Sequence, residues 1–181
     1  MHALKAIVNR FNAANVTYAI GGSLLLYAHH LVDAFNDIDI LIVKDDFDKA
    51  HAILTDMGIE QPTKKSDRYQ TECFKTYLVQ GSKIDLMANL VITHHSRTYN
   101  HCFDASSIVE YKVVHAIRLP LMSLEDWYVI YLLIEREDKV HLLEDYFYQF
   151  GIRHSNILRP ILNRNISPLI KSKIRSLIET S

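Results

Sequence analysis

Glycine and proline are scarce: five and four of 181 residues, about 5% together where ordinary usage gives about 12%. That excludes collagen-like, linker-like and low-complexity sequence. Cysteine is scarcer still. Cys73 and Cys102 stand far apart with no Cys-x-x-Cys spacing, so neither a disulfide framework nor a zinc ribbon is read, and both thiols are expected to be reduced and structural. Neither charge is in excess: 20 Lys+Arg face 21 Asp+Glu, a net charge of −1. A nucleic-acid partner would therefore need a local basic patch. No apolar run is long. The longest, Trp127–Ile134, has eight residues, against about 20 for a membrane span. The start, Met1-His2-Ala3-Leu4-Lys5, lacks the charged head, apolar stretch and cleavage site of a signal peptide, so the expected location is the cytoplasm.

What is present is 49% hydrophobic residues, enough for one globular unit with a sizeable core. Leu4, Ile7, Val8 and Phe11 recur at helical spacing, Val16–Ile20 is a short β-prone run, and Gly21-Gly22 ends it. Ser23 is placed to cap a following helix through Leu24–His30. Asp37–Val43 alternates and then turns wholly apolar, as a strand entering a core does. Asp45 to Met57 reads as a helix closed by Gly58 in the left-handed position. Glu72–Val79 and Lys83–Leu90, joined by Gln80-Gly81-Ser82, predict a hairpin, and two more strands are expected near Ser107–Val114 and Ala116–Leu121. From Ser123 the chain reads as helical. Ser123-Leu-Glu-Asp126 has capping-box spacing, Gly151 follows a second helix, and Ser167-Pro168 opens a third. Ile166, Leu169, Ile170, Ile174, Leu177 and Ile178 would form its apolar stripe. The layout is an α/β (α+β) core over 1–121 with a helical subdomain over 122–181 packed on it.

Three short motifs fall on the predicted elements so as to converge. Asp37 and Asp39 share one face of a strand while Ile38 and Ile40 take the other, and Asp85 is likewise set opposite Ile84 and Leu86. If the Asp85 strand lies beside the Asp37 strand, about 4.8 Å away, three carboxylates meet on one patch. Such a patch repels itself unless cations fill it. Hard divalent ions, Mg²⁺ above all, suit all-oxygen ligands and bring substrate phosphates with them. Gly21 and Gly22 would let the backbone approach a phosphate, with the Ser23 hydroxyl as a further donor.

In order and spacing these residues resemble the nucleotidyltransferase fold shared by DNA polymerase beta, the aminoglycoside and lincosamide nucleotidyltransferases and AbiE-type toxins. The resemblance rests on Gly21-Gly22-Ser23, then thirteen residues, Asp37-Ile38-Asp39, and later Asp85. It covers about residues 15–90, and Ser123–Gln149 is similar to the helical tail of small members. It implies a short mixed sheet flanked by helices and an enzyme that moves a nucleoside monophosphate from an NTP, such as ATP, to an acceptor, releasing pyrophosphate. In that family the serine turn holds the triphosphate, a role that falls here to Gly21, Gly22 and Ser23. The three acids bind Mg²⁺ or Mn²⁺ and activate the acceptor, the role of Asp37, Asp39 and Asp85. No Arg precedes Asp37 within Asp33-Ala-Phe-Asn36, and Arg136-Glu-Asp-Lys139 departs from the lysine–aspartate order of antibiotic-modifying members. The acceptor is thus left open among a small molecule, a tRNA and a protein, the last two as for a toxin. The alternative is a silent nucleotide-binding or partner-binding module that keeps the fold.

Other features carry two readings each. Adjacent histidines at 29–30 and 94–95 point to different faces of a regular element and none stands at a zinc spacing, so no metal site is predicted there. His94, His95, Arg97 and Tyr99 fall in a predicted loop, which is either plain surface or a contact to acceptor or nucleotide. Residues 153–181 carry six basic residues against Glu179, which suits a solvated helix face or an RNA backbone, tRNA included. Tyr128, Tyr131, Tyr146, Phe147, Tyr148 and Phe150 are expected mostly in the core.

Overall fold

The computed structural model describes residues 1–63, 67–71 and 73–180. Leu4, Ile7, Val8 and Phe11 are all buried along α1 (His2–Ala13), as their spacing requires. The short, buried β1 (Tyr18–Ile20) leads through Gly21 into α2 (Gly22–Ala28). β2 (Asp37–Ile42) starts with alternate burial and ends buried on both faces. After α3 (Phe47–Met57) come β3 (Ile59–Gln61) and β4 (Cys73–Val79). Gln80 and Gly81, both at positive φ, then turn the chain into β5 (Ser82–Ala88). Two further hairpins follow, β6 (Leu90–His94) with β7 (Arg97–His101) and β8 (Glu110–Val114) with β9 (Ile117–Leu121). Four helices end the chain: α4 (Leu124–Leu133), α5 (Glu137–Phe150), α6 (Ser155–Ile161) and α7 (Pro168–Thr180).

The chain divides into two units. The first joins Met1–Lys65, Thr71–Leu90 and His101–Met122 and holds a seven-stranded mixed sheet in the order β3-β4-β5-β2-β1-β9-β8. Within it β2 runs parallel to β5 and β1 to β9, and the remaining neighbours are antiparallel. The second unit joins Ser66–Gln70, Val91–Asn100 and Ser123–Ser181. The mixed α/β class is as the sequence predicts. Among the described residues no helix is long and apolar enough to cross a membrane.

Several local expectations are corrected. Gly58 is extended, not left-handed (φ −162°). Its reason for being glycine is space, since a Cβ there would lie 2.4 Å from the Leu78 carbonyl oxygen. The predicted loop at His94–Tyr99 is the β6–β7 hairpin, and β3 and α6 carry no strong sequence signal. Glu72, which sequence puts at the head of the first hairpin strand, lies outside the described residues. Tyr128, Tyr131 and Phe147 are buried, but Tyr148 and Phe150 are exposed, as is Leu169 of the expected α7 stripe. Both cysteines are free thiols.

In the second unit α4 contacts α5, α6 and α7, and all ten of its residues are buried. Two of them are acids. Ser123 accepts the Asp126 amide (2.8 Å) and donates its hydroxyl to Asp126 Oδ2 (2.8 Å), so the capping position and its partner satisfy each other. Glu125 Oε1 accepts the amides of Arg153 and His154, both at 2.9 Å. A buried carboxylate is tolerable because those charge-assisted bonds replace water. Glu125→Ala leaves the amides without their acceptor and is expected to destabilise the protein by about 2–3 kcal/mol, measured as a lowered midpoint in urea unfolding.

Candidate active site

The site is built on the parallel pairing of β2 and β5, which sets Asp37 beside Lys83 and Asp39 beside Asp85. On the far side of β5, antiparallel β4 brings Thr76 opposite Asp85. Cross-strand neighbours share a face, so three carboxylates, an ammonium and a hydroxyl collect on one side. Ile38 and Ile84 are buried on the other. Lys83 Nζ donates to Asp85 Oδ2 (2.6 Å) and reaches Asp37 Oδ2 (3.5 Å). Thr76 Oγ1 donates to Asp85 Oδ1 (2.7 Å). Both oxygens of Asp85 are therefore held in place.

The cluster is electrostatically loaded. Burial, then the charges of Asp37 and Asp85, push the Asp39 carboxyl up to about 7, with Lys83 opposing them. Burial works against the Lys83 ammonium, but its bond to Asp85 and the three nearby carboxylates outweigh it and raise its pKa. The donors are oxygen only, which fits a hard divalent cation. The three carboxylates are not drawn into a single tight cage. Lys83 instead ties Asp37 to Asp85 and supplies one positive charge where an ion would supply two.

The glycine turn is fastened to the same strand. Gly21 donates its amide to the Asp39 carbonyl (3.0 Å). Gly22 has φ +58°, and a Cβ there would lie 1.8 Å from Asp39 Oδ2. Two constraints, backbone sign and space, thus demand glycine at one position. Ser23 does not cap α2, whose N-cap is Gly21. Lying one residue inside the helix, its hydroxyl reaches Asp37 Oδ1 (3.4 Å) and the Asp37 carbonyl (3.5 Å) instead. All six residues singled out in the sequence, Gly21, Gly22, Ser23, Asp37, Asp39 and Asp85, are thereby brought together in the first unit.

Two members of the cluster escape the motif. Lys83 is two residues before Asp85 and could be found by strand alternation, whereas Thr76 follows only from the β4–β5 register. The histidine readings go elsewhere. His29 pairs with Glu110 (2.6 Å) in the first unit. His94, His95, Arg97 and Tyr99 belong to the second unit. There Arg97 donates to the Ile166 carbonyl (2.8 Å) and Tyr99 is buried, so these two hold the fold. Burial, and next the charge of His95, keep His94 below the ordinary histidine pKa.

Because folding raises the Asp39 pKa, the native state holds this proton more tightly than the unfolded chain does. The associated stability is full below about pH 4 and lost as pH rises through about 7. In metal-free buffer the melting temperature of wild type relative to Asp39→Asn is expected to fall between pH 5 and pH 7.5. A difference that stays flat over that range would contradict the raised Asp39 pKa.

A family model described as "Uncharacterised nucleotidyltransferase" matches residues 1–169. No curated protein sequence gives a significant match. Among solved structures, a Thermotoga maritima protein assigned as a nucleotidyltransferase is similar, with a TM-score of 0.63 at 19% identity over 82% of this chain and 92% of the other. ANT(2")-Ia, solved with adenylyl-2"-tobramycin, gives 0.56 at 13% identity over 96% and 95%. At these identities the neighbours speak for the fold, and the family match covers nearly the whole chain: the protein belongs to this nucleotidyltransferase family.

Proposed function

We propose that the protein transfers a nucleoside monophosphate from an NTP to an acceptor in the cytoplasm and releases pyrophosphate. The observation that carries this reading is the side-by-side placement of Asp39 and Asp85 on parallel strands, with Asp37 on the same face and Gly22 packed against the Asp39 carboxylate. Asp37, Asp39 and Asp85 would hold Mg²⁺ or Mn²⁺, which when bound neutralises the triphosphate and lowers the pKa of the attacking group. Gly21, Gly22 and Ser23 cradle the triphosphate, where the missing side chains permit close approach of backbone amides. Asp85, fixed by Thr76 and Lys83, orients the acceptor and takes its proton. The acceptor atom bonds to the α-phosphorus as the bond to the bridging oxygen breaks, and that electron pair leaves with pyrophosphate.

The acceptor is a small molecule, a tRNA or a protein. Of the basic residues near the C-terminus, Lys173 pairs with Glu144 (3.3 Å), and Arg164 donates to the Asn100 carbonyl while lying over the Tyr99 ring. Arg153, Arg159 and Arg175 are exposed and would form the RNA-facing set. One observation favours a second reading, a nucleotide-binding module without turnover: Lys83 already neutralises part of the carboxylate cluster.

Thermal melting with each NTP, with and without Mg²⁺, separates these readings without knowledge of the acceptor. ATP heads the panel, because the ANT(2")-Ia neighbour was solved with an adenylylated product. A nucleotide at 100 times its Kd should stabilise the fold by about 2.7 kcal/mol. The upward shift is expected to require Mg²⁺ and to vanish in Asp37→Asn/Asp39→Asn; absence of any shift overturns the nucleotide site. Pyrophosphate release over a panel of antibiotics, metabolites, tRNA and protein then decides turnover. Asp39→Asn should abolish it, and saturable NTP binding with no release on any acceptor selects the silent module. For an RNA acceptor, affinity should drop steeply with salt, and RNA that fails to bind at low salt removes that acceptor.

A further inference from the structure

In a regular strand, neighbouring side chains point to opposite faces, so His94 and His95 should diverge. They do not. β6 ends at His94, and His95 (φ +47°) with Ser96 (φ +59°) makes the two-residue turn into β7. The left-handed backbone at His95 cancels the alternation, and the two rings meet edge-on with centroids 4.1 Å apart. Both Nε2 atoms face Glu135 Oε1, at 3.5 Å and 3.8 Å. Glu135 is itself at positive φ (+59°), in the tight link between α4 and α5. A ligand atom from each of the three lies within 4.8 Å of the others, the only such group among the described residues.

The dimensions suit one ion. Ligand atoms at about 2.1 Å from a tetrahedral metal are about 3.4 Å apart, close to the two imidazole–carboxylate distances, and a turn of the exposed His95 ring would close the rest. The carboxylate is braced from behind. Arg68 Nη2 donates to Glu135 Oε2 (2.5 Å) while its Nη1 donates to the Ile134 carbonyl (2.9 Å), which leaves Oε1 turned to the rings. His94 is only 8% exposed, and its Nδ1 is buried without a hydrogen-bond partner. His94, His95 and Glu135 also line a cavity of about 250 Å³, together with Tyr131 and Lys173, which gives water or an anion access to a fourth position.

We propose that His94, His95 and Glu135 bind a single divalent cation of the Zn²⁺ class through two imidazole nitrogens and one carboxylate oxygen, with an exchangeable water completing the tetrahedron. Two nitrogens and one oxygen select Zn²⁺, Co²⁺ or Ni²⁺ over Mg²⁺. The ion ties the β6–β7 turn to the α4–α5 link inside the second unit and so stabilises that unit. This site shares no residue with the carboxylate cluster and does not depend on the transfer reading.

The test uses full-length, untagged, chelator-stripped protein carrying Asp37→Asn/Asp39→Asn, so that the oxygen cluster does not compete. Titration with Co²⁺ is expected to give the visible absorption of a tetrahedral ion at one equivalent, displaced by Zn²⁺, with a Zn²⁺-dependent rise in melting temperature. His95→Ala and Glu135→Gln alter exposed side chains, 71% and 44% accessible, and should leave the circular dichroism unchanged. Each should weaken binding by about tenfold or more, at least the cost of losing a supporting outer partner. Binding well below one equivalent, or affinities in both folded variants within about twofold of the parent, would overturn the site.

Discussion

Mutual repulsion among Asp37, Asp39 and Asp85 is the constraint around which the first unit is arranged. Each feature near them answers it. Lys83 spans Asp37 and Asp85, Thr76 donates to the other oxygen of Asp85, and the proton affinity of Asp39 rises well above the carboxylate range. None of this improves packing. Isoleucines at 38 and 84 do that work on the opposite face, so the same two strands carry the hydrophobic core and a destabilised polar cluster back to back. Residual like charge in a folded protein is relieved when a cation binds, so a ligand that brings one would stabilise the first unit.

The two ends of the chain solve different problems. In the first unit charge is gathered on one face and left partly uncompensated. In the second, the buried acids of α4 are each bonded to neutral donors, two backbone amides for Glu125 and a serine hydroxyl for Asp126. That contrast separates carboxylates that build a fold from carboxylates left under mutual repulsion, and it is visible in their partners rather than in their burial.

Much of the candidate site's geometry is legible in the sequence because its signals are local. Period-two alternation fixes the shared face of Asp37 and Asp39, and a glycine pair before a helix marks the turn. The hairpin at Gln80-Gly81 follows from residues that accept positive φ. What was not legible depends on long-range register or on backbone sign. The pairing of Asp39 with Asp85, which the sequence offers only as a condition, joins residues 46 apart, and Thr76 enters only through a second register. Ser23 lies two residues past the true cap, Gly21, since α2 begins at Gly22. The histidine pair was misread because alternation assumes an extended backbone, and His95 is left-handed. The interleaving of 66–70 and 91–100 with the C-terminal helices has no compositional mark at all.

The contact between Gly22 and Asp39 has a consequence for how such a chain can change. A methyl group is the smallest side chain that mutation can add at residue 22, and its carbon would already fall 1.8 Å from a carboxylate oxygen. No graded series of substitutions exists there. Exposed positions can drift by small steps, whereas the turn that packs against the Asp39 carboxylate admits only retention or loss.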